Sequence, residues 1–324
     1  MKIAFFGLDK EKQPIFTSAL RGIEISFFEE VLDKKSVEKS PDAEIVCVFV
    51  DCTVDREVID KLPNLKFIAT RSTGYDHVDV KYAGTKGISV SNVPAYGSHT
   101  VAEFTFGLLL NLSRKIASSN SYLRETLKYN YLPWMEGFDL AGKTLGVVGT
   151  GKIGKNVIKI AKGLEMNVIA CDPHPDALFA EENKFEYKNF QEVISGADII
   201  TLHTPYTPEN HHMINKESIS TMKKGVYLVN TARGALIDTE ALVTGLKEGI
   251  IAGVGIDVIE GEVETQAGEK GGVTSLNHEL MKMPNVIVSP HMAFYTREAV
   301  DSIMRTTAEN IKGFISGAPT NLVK

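Results

Sequence analysis

The amino-acid sequence predicts an α/β protein built on two doubly wound parallel sheets. Three observations predict this class. Short β-type runs alternate with helix-like pieces along most of the chain, as in parallel strands joined by crossover helices. Several runs are apolar throughout rather than alternating, as strands covered on both faces require. A length of 324 residues with 43% apolar content also suffices for two cores.

In the N-terminal part, Ile3–Phe6, Ile25–Phe28, Ile45–Phe49, Phe67–Thr70 and Ile88–Ser91 read as strands, with helical pieces such as Asp55–Lys61 between them. No glycine fingerprint follows the first strand, because Gly7 leads into Leu8, Asp9 and Lys10. This unit is therefore expected to serve a substrate. Its fourth strand ends in TRSTGYD, Thr70–Asp76. Open α/β sheets hold ligands at such strand ends. The small residues Ser72, Thr73 and Gly74 would leave backbone N–H groups open to an anion. An ordinary glycine turn fits the same residues.

Val93–Ser98, with Pro94 and Gly97, reads as a crossing loop. Thr100–Lys115 then carries Val101, Phe104, Thr105, Leu108, Leu109 and Leu112 on one face, with Phe106 and Leu110 off it. A helix apolar nearly all round is buried, within its own chain or against a second copy; a homodimer contact is the expectation. Ser121–Asp139, rich in Tyr with Pro133, Trp134 and Gly137, reads as an irregular arm.

Thr144–Asp172 organises the second unit. Leu145–Val148 suits a buried strand; Gly149, Gly151 and Gly154 follow as G-x-G-x-x-G; Val157, Ile158, Ala161 and Leu164 recur at helical spacing; Asp172 closes the strand Val168–Ala170. The first glycine permits a tight turn, the second lets backbone approach a pyrophosphate, and the third lets helix pack on strand. The helix N-terminus presents N–H groups and a positive dipole end to phosphates. Asp172 would accept from ribose hydroxyls and repel a 2′-phosphate, which favours NAD over NADP. Without a ligand the same stretch is a plain α/β turn.

Ile199–Leu202, Val226–Asn230, Val254–Asp257 and Val286–Ser289 complete six strands. Beyond Pro290 the chain reads as helical, roughly Thr296–Gly313, and is expected to pack on the N-terminal unit. A dinucleotide domain, 99–292, would thus be inserted into a substrate domain, 1–98 and 293–324, with a cleft between them. Three strand ends of the inserted domain carry polar residues. Arg233 follows one strand, Asp257 with Glu260 and Glu262 the next, and His291 the last. One parallel sheet shares one edge, so Arg233, Glu262 and His291 would converge. Taken singly, they also read as a surface cation, a solvated acid and a capped core histidine.

At this point the chain resembles the D-isomer-specific 2-hydroxyacid dehydrogenases, over nearly its whole length. The matching motifs are VVGTGKIG (Val147–Gly154), LHTPYTPENHHMIN (Leu202–Asn215), VNTARGALIDTEAL (Val229–Leu242), GIDVIEGE (Gly255–Glu262) and SPHMAFYT (Ser289–Thr296). The last two look closest to the D-lactate dehydrogenase branch. The resemblance implies a Rossmann NAD-binding domain inserted into a flavodoxin-like substrate domain, and interconversion of a 2-keto acid and a D-2-hydroxy acid. It implies catalytic roles for Arg233, Glu262 and His291. Gly149, Gly151, Lys152, Ile153, Gly154, Asp172, Thr204, Pro205, Asn210, Thr231, Ala232, Arg233 and Asp257 match cofactor-contacting positions, with Asp257 orienting the nicotinamide carboxamide. Thr73 and Gly74 match the loop that binds the substrate carboxylate. Tyr96 and Phe294, and more loosely Phe49, match pocket-lining residues, which points to pyruvate or a close homologue. Core packing is the other reading of these aromatics.

The chemistry needs these residue types. A guanidinium holds carboxylate and carbonyl oxygens in one planar fork and polarises the carbonyl, which lysine cannot do. Protonated His291 would donate to the carbonyl oxygen as hydride reaches C2, and neutral His291 would take the proton back in reverse. Glu262 beside the imidazole would favour its charged form and fix its tautomer.

A net charge of −6 gives no sign of nucleic-acid or anionic-membrane binding. Cys47, Cys52 and Cys171 are irregularly spaced with no C-x-x-C, so neither disulfides nor a metal site is expected, and a reducing cytosol is. Met1-Lys2 leads straight into a strand, with no basic-then-apolar leader. Three rival readings remain: an NADH-sensing regulator on the same fold, a methyltransferase with a similar glycine loop, and a dehydrogenase for a larger aliphatic 2-keto acid.

Overall fold

The computed structural model describes residues 1–262 and 272–323. It divides into two compact units, Met1–Gly97 with Tyr295–Lys324, and Ser98–Phe294.

The first unit holds strands β1 (Lys2–Phe6), β2 (Glu24–Phe28), β3 (Ile45–Val48), β4 (Phe67–Thr70) and β5 (Ser89–Ser91). They form one parallel sheet in the order β2-β1-β3-β4-β5. Its crossovers include helices α1 (Gln13–Ala19), α2 (Arg56–Asp60) and α3 (Val80–Thr85). Asp55 and Asp79 cap α2 and α3, their carboxylates accepting from the Val58 and Tyr82 N–H groups. β3 and β4 are buried at every position, which explains their unbroken apolar runs. The C-terminal helix, Arg297–Ile315, belongs to this unit: Phe314 stacks on Phe67 with centroids 4.3 Å apart. Buried Asn310 donates to the Asn92 carbonyl at 2.8 Å.

The second unit begins with α4 (Ser98–Arg114) and α5 (Ile116–Thr126). Its seven strands are β6 (Thr144–Val148), β7 (Asn167–Cys171), β8 (Glu186–Tyr187), β9 (Ile199–Leu202), β10 (Val226–Asn230), β11 (Ile251–Ile256) and β12 (Val286–Val288). They form a second all-parallel sheet in the order β12-β11-β10-β9-β6-β7-β8. The crossover helices are α6 (Lys152–Gly163), α7 (Ala177–Glu182), α8 (Phe190–Gly196), α9 (Lys216–Ser220), α10 (Thr239–Lys247) and α11 (Gly272–Lys282). The order reverses between β6 and β9, so the connections leaving β6 and β9 diverge and open a crevice at their carboxyl ends.

Two sequence expectations are corrected here. The sheet has seven strands, not six: β8 is only two residues, Glu186–Tyr187, too short to show as an apolar run. Ser121–Asp139 is not irregular throughout, since α5 extends to Thr126. Much of α4 is buried within its own unit. Val101, Ala102, Thr105, Phe106, Leu108, Leu109 and Leu112 are covered, while Leu110 is exposed. A β-carbon at Gly255 would lie 3.1 Å from Leu108 Cβ, so helix and sheet meet closely there. No described helix is long and apolar enough to cross a membrane.

Candidate active site

The glycine turn comes first in chain order. Gly149 has φ +93, a conformation side chains avoid, and a β-carbon there would lie 2.7 Å from the His203 backbone. A β-carbon at Gly154 would lie 2.0 Å from the Gly149 carbonyl oxygen. Both positions therefore require glycine so that β6, β9 and α6 can close on one another. Gly151 occupies the N-cap of α6 and no side chain caps that end. First-turn N–H groups are thus left to a ligand. Lys152 is exposed on the first turn, and Ile153 is half-buried.

Asp172 follows β7, and its carboxylate folds toward the glycine turn. Thr150 donates to Oδ2 through its N–H at 2.6 Å and its hydroxyl at 3.1 Å; the His174 N–H donates to Oδ1 at 2.8 Å. Burial pushes the Asp172 pKa up, but the Thr150 and His174 donors outweigh it and hold the group below the ordinary carboxylate range. Asp172 is thereby a fixed anion beside the turn. An uncapped helix end, two obligatory glycines and a fixed carboxylate at the end of the neighbouring strand fit a dinucleotide.

On the loop after β9, Thr204 and Pro205 lie near the surface, and Asn210 spends its amide locally. Its Nδ2 donates to the Pro205 carbonyl and its Oδ1 accepts from the Thr207 N–H, each at 2.8 Å. After β10, Asn230 Nδ2 donates to the Arg233 carbonyl at 2.8 Å and Asn230 Oδ1 accepts from the Ala232 N–H at 2.9 Å. The Thr231 hydroxyl lies 3.0 Å from that of Thr105 on α4. These bonds fix the turn that carries Arg233, whose Nη1 donates to the Ala232 carbonyl at 2.7 Å. A β-carbon at Gly234 would lie 2.1 Å from the Ile259 carbonyl carbon. The Arg233 turn is thus pressed onto the loop that leads to Glu262.

His291 lies three positions after β12 in the left-handed region, with φ +51. Its N–H donates to the Asp257 carbonyl at 2.8 Å and the Ser289 carbonyl at 3.0 Å. The Asp257 side chain, 1% exposed, collects the Ser289 hydroxyl (2.6 Å), the Met292 N–H (2.9 Å) and the Ala293 N–H (2.7 Å). Burial pushes its pKa up, against the pull of those donors. In this structure Asp257 is the anchor of the His291 turn. The ring is held in turn by Glu262, whose Oε1 lies 2.7 Å from Nδ1. Glu262 thus engages Nδ1 and not Nε2. Strands β10, β11 and β12 are neighbours, so Arg233, Glu262 and His291 stand at three adjoining strand ends. A hollow of about 590 Å³ opens beside the pair, lined among others by Leu112, Asp257, Glu262 and His291.

Three residues given no role by sequence brace this edge. His212, with φ +51, sets Nε2 against both carboxylate oxygens of Glu260 at 2.9 and 3.0 Å. Asn277 Nδ2 on α11 donates to the Glu260 carbonyl at 3.0 Å. His212 and Glu260 each fall inside a quoted motif, but nothing in the sequence pairs them. Nothing in sequence singles out Asn277. In the first unit, Thr73 and Gly74 lie on the loop after β4, while Tyr96 is half-buried near the end of that segment. Phe294, also half-buried, ends the second unit.

Residues 106–293 match the family model described as D-isomer specific 2-hydroxyacid dehydrogenase, NAD binding domain. An aromatic 2-oxoacid reductase of Clostridium sporogenes is 42% identical over 271 residues, covering 81% of this chain and 80% of the relative. A D-lactate dehydrogenase of Escherichia coli is 38% identical over 310 residues, 93% of each chain. The crystal structure of D-lactate dehydrogenase from Aquifex aeolicus, complexed with NAD and lactic acid, superposes with a TM-score of 0.90 at 35% identity, covering 98% of this chain and 96% of that one. The protein therefore belongs to the D-isomer-specific 2-hydroxyacid dehydrogenases, with NAD as its cofactor.

Proposed function

We propose that this dehydrogenase interconverts a short 2-keto acid, pyruvate first, and the D-2-hydroxy acid. The observation that carries the reading is the 2.7 Å contact of His291 Nδ1 with Glu262, at the strand end beside Arg233. NADH supplies the hydride. Arg233 grips the carboxylate and the carbonyl oxygen of the substrate and draws electron density from C2. His291 donates a proton from Nε2 to that oxygen, and Glu262 holds the ring in place. In reverse, neutral His291 takes the hydroxyl proton. A positioned acid of this kind contributes about 10²–10⁴-fold.

Beyond the catalytic three, Gly149, Gly151, Lys152, Ile153 and Gly154 are proposed to cradle the pyrophosphate, with Asp172 on the adenosine ribose. Thr204, Pro205, Asn210, Thr231, Ala232, Arg233 and Asp257 would line the remainder of the cofactor. Thr73 and Gly74 would bind the substrate carboxylate, and Tyr96 and Phe294 would limit its side chain.

We also propose a cytosolic homodimer. Leu110, Leu127, Tyr129 and Tyr131 of the second unit are exposed, Tyr129 by 96%, and a second copy would cover them. Free Cys47, Cys52 and Cys171 suit a reducing compartment.

A panel of 2-keto acids assayed with NADH, with chiral analysis of the product, tests the function. The highest kcat/KM is expected for pyruvate, with D-lactate formed. A clear preference for a bulky aromatic 2-keto acid would move the substrate assignment. No NADH oxidation with any of them would favour a regulatory role.

A further inference from the structure

A buried cation stands at the carboxyl edge of the five-stranded sheet, and the proposed reaction does not use it. Arg71 follows β4 and is 2% exposed. Burying a guanidinium is costly unless its donors are met. Nη1 donates to the Cys47 carbonyl at 3.2 Å, and Nη2 to the Phe6 and Gly7 carbonyls at 2.9 and 2.6 Å. One side chain thereby ties the ends of β1, β3 and β4. These partners are neutral, so they satisfy the donors without cancelling the charge. Asp51 is the nearby anion: a β-carbon at Gly7 would lie 3.6 Å from Asp51 Oδ1 and 3.8 Å from Arg71 Nη2.

The chain after Arg71 turns three carbonyls in succession onto protein donors. Ser72 O accepts from the Val93 N–H at 2.9 Å, Thr73 O from Asn92 Nδ2 at 2.7 Å, and Gly74 O from the Ser72 hydroxyl at 2.6 Å. In a trans peptide the N–H points opposite to its carbonyl, and there is no cis bond among the described residues. The N–H groups of Thr73, Gly74 and Tyr75 therefore each turn away from the donor that holds the carbonyl of their own peptide. Successive N–H groups presented together form an anion nest.

We propose that Arg71 is a positioning residue for this nest. It fixes the strand ends from which the loop springs, and its charge, only partly offset by Asp51, favours an anionic group over a neutral one on the N–H groups. This rests on the reading that Thr73 and Gly74 bind the substrate carboxylate.

The test compares pyruvate with pyruvamide, its uncharged amide, in wild type, Arg71→Met and Asp51→Asn. Arg71→Met is expected to cut kcat/KM for pyruvate roughly tenfold or more, mainly through KM, and to change pyruvamide far less, because only the anion feels the lost charge. NADH affinity should hold. Asp51→Asn removes the facing anion and should shift the ratio severalfold toward pyruvate, so the proposal stays testable if Arg71→Met does not fold. Equal losses on both substrates in Arg71→Met, or an unmoved ratio in Asp51→Asn, would overturn it. A wild-type enzyme that uses pyruvamide as well as pyruvate would remove the carboxylate reading itself, and the proposal with it.

Discussion

Oε1 of Glu262 lies 2.7 Å from Nδ1 of His291, although the two residues sit on loops after different strands. That contact engages Nδ1 and not Nε2.

Replacing Glu262 with Gln keeps the shape and removes the charge. Turnover of pyruvate with NADH is expected to fall roughly 10- to 100-fold, mainly in kcat, because the ring loses the charged partner that holds it through Nδ1. Steady-state kinetics with saturating NADH check this. Wild-type kcat would reduce Glu262 to a packing role.

Arg233→Lys retains a cation but not the planar fork. KM for pyruvate should rise and kcat fall, together on the order of 10²-fold or more in kcat/KM. Initial-rate kinetics with saturating NADH read both terms. Wild-type values would mean the guanidinium does not hold the substrate.

Asp172→Ser removes the fixed anion beside the glycine turn. The NADH to NADPH preference should shrink by about tenfold or more, since the repelled 2′-phosphate loses its opponent. Titration of each nucleotide by fluorescence gives the ratio. An unchanged ratio would place discrimination elsewhere.

His203 offers a stability test. Its Nε2 meets the Thr201 hydroxyl at 2.8 Å and its Nδ1 is buried without a partner. Burial lowers its pKa from 6.5 to about 3. Between those values the unfolded chain takes a proton that the folded chain refuses, so stability falls as pH drops from 6.5 toward 3. His203→Gln should flatten the acid-side decline of Tm. Parallel declines in both proteins would contradict the assignment.

The fold was legible because all-apolar runs such as Ile45–Val48 are strands buried at every position, and because Gly149 and Gly154 occupy places no side chain fits. β8 was hidden because Glu186 and Tyr187 show no apolar periodicity. The chemical residue types at the strand ends were readable. Their supports were not: the Asp257 carboxylate collects donors from Ser289, Met292 and Ala293, and Arg71 gathers carbonyls from β1 and β3. Such bonds join positions distant in sequence, where no local pattern records them.

The most direct measurement pairs NADH binding with pyruvate turnover in His291→Asn. Binding should match wild type, while turnover should fall about 10²–10⁴-fold, because the proton donor alone is gone. Turnover at the wild-type rate would contradict the assignment of His291 as the acid, and with it the proposed chemistry at this strand edge.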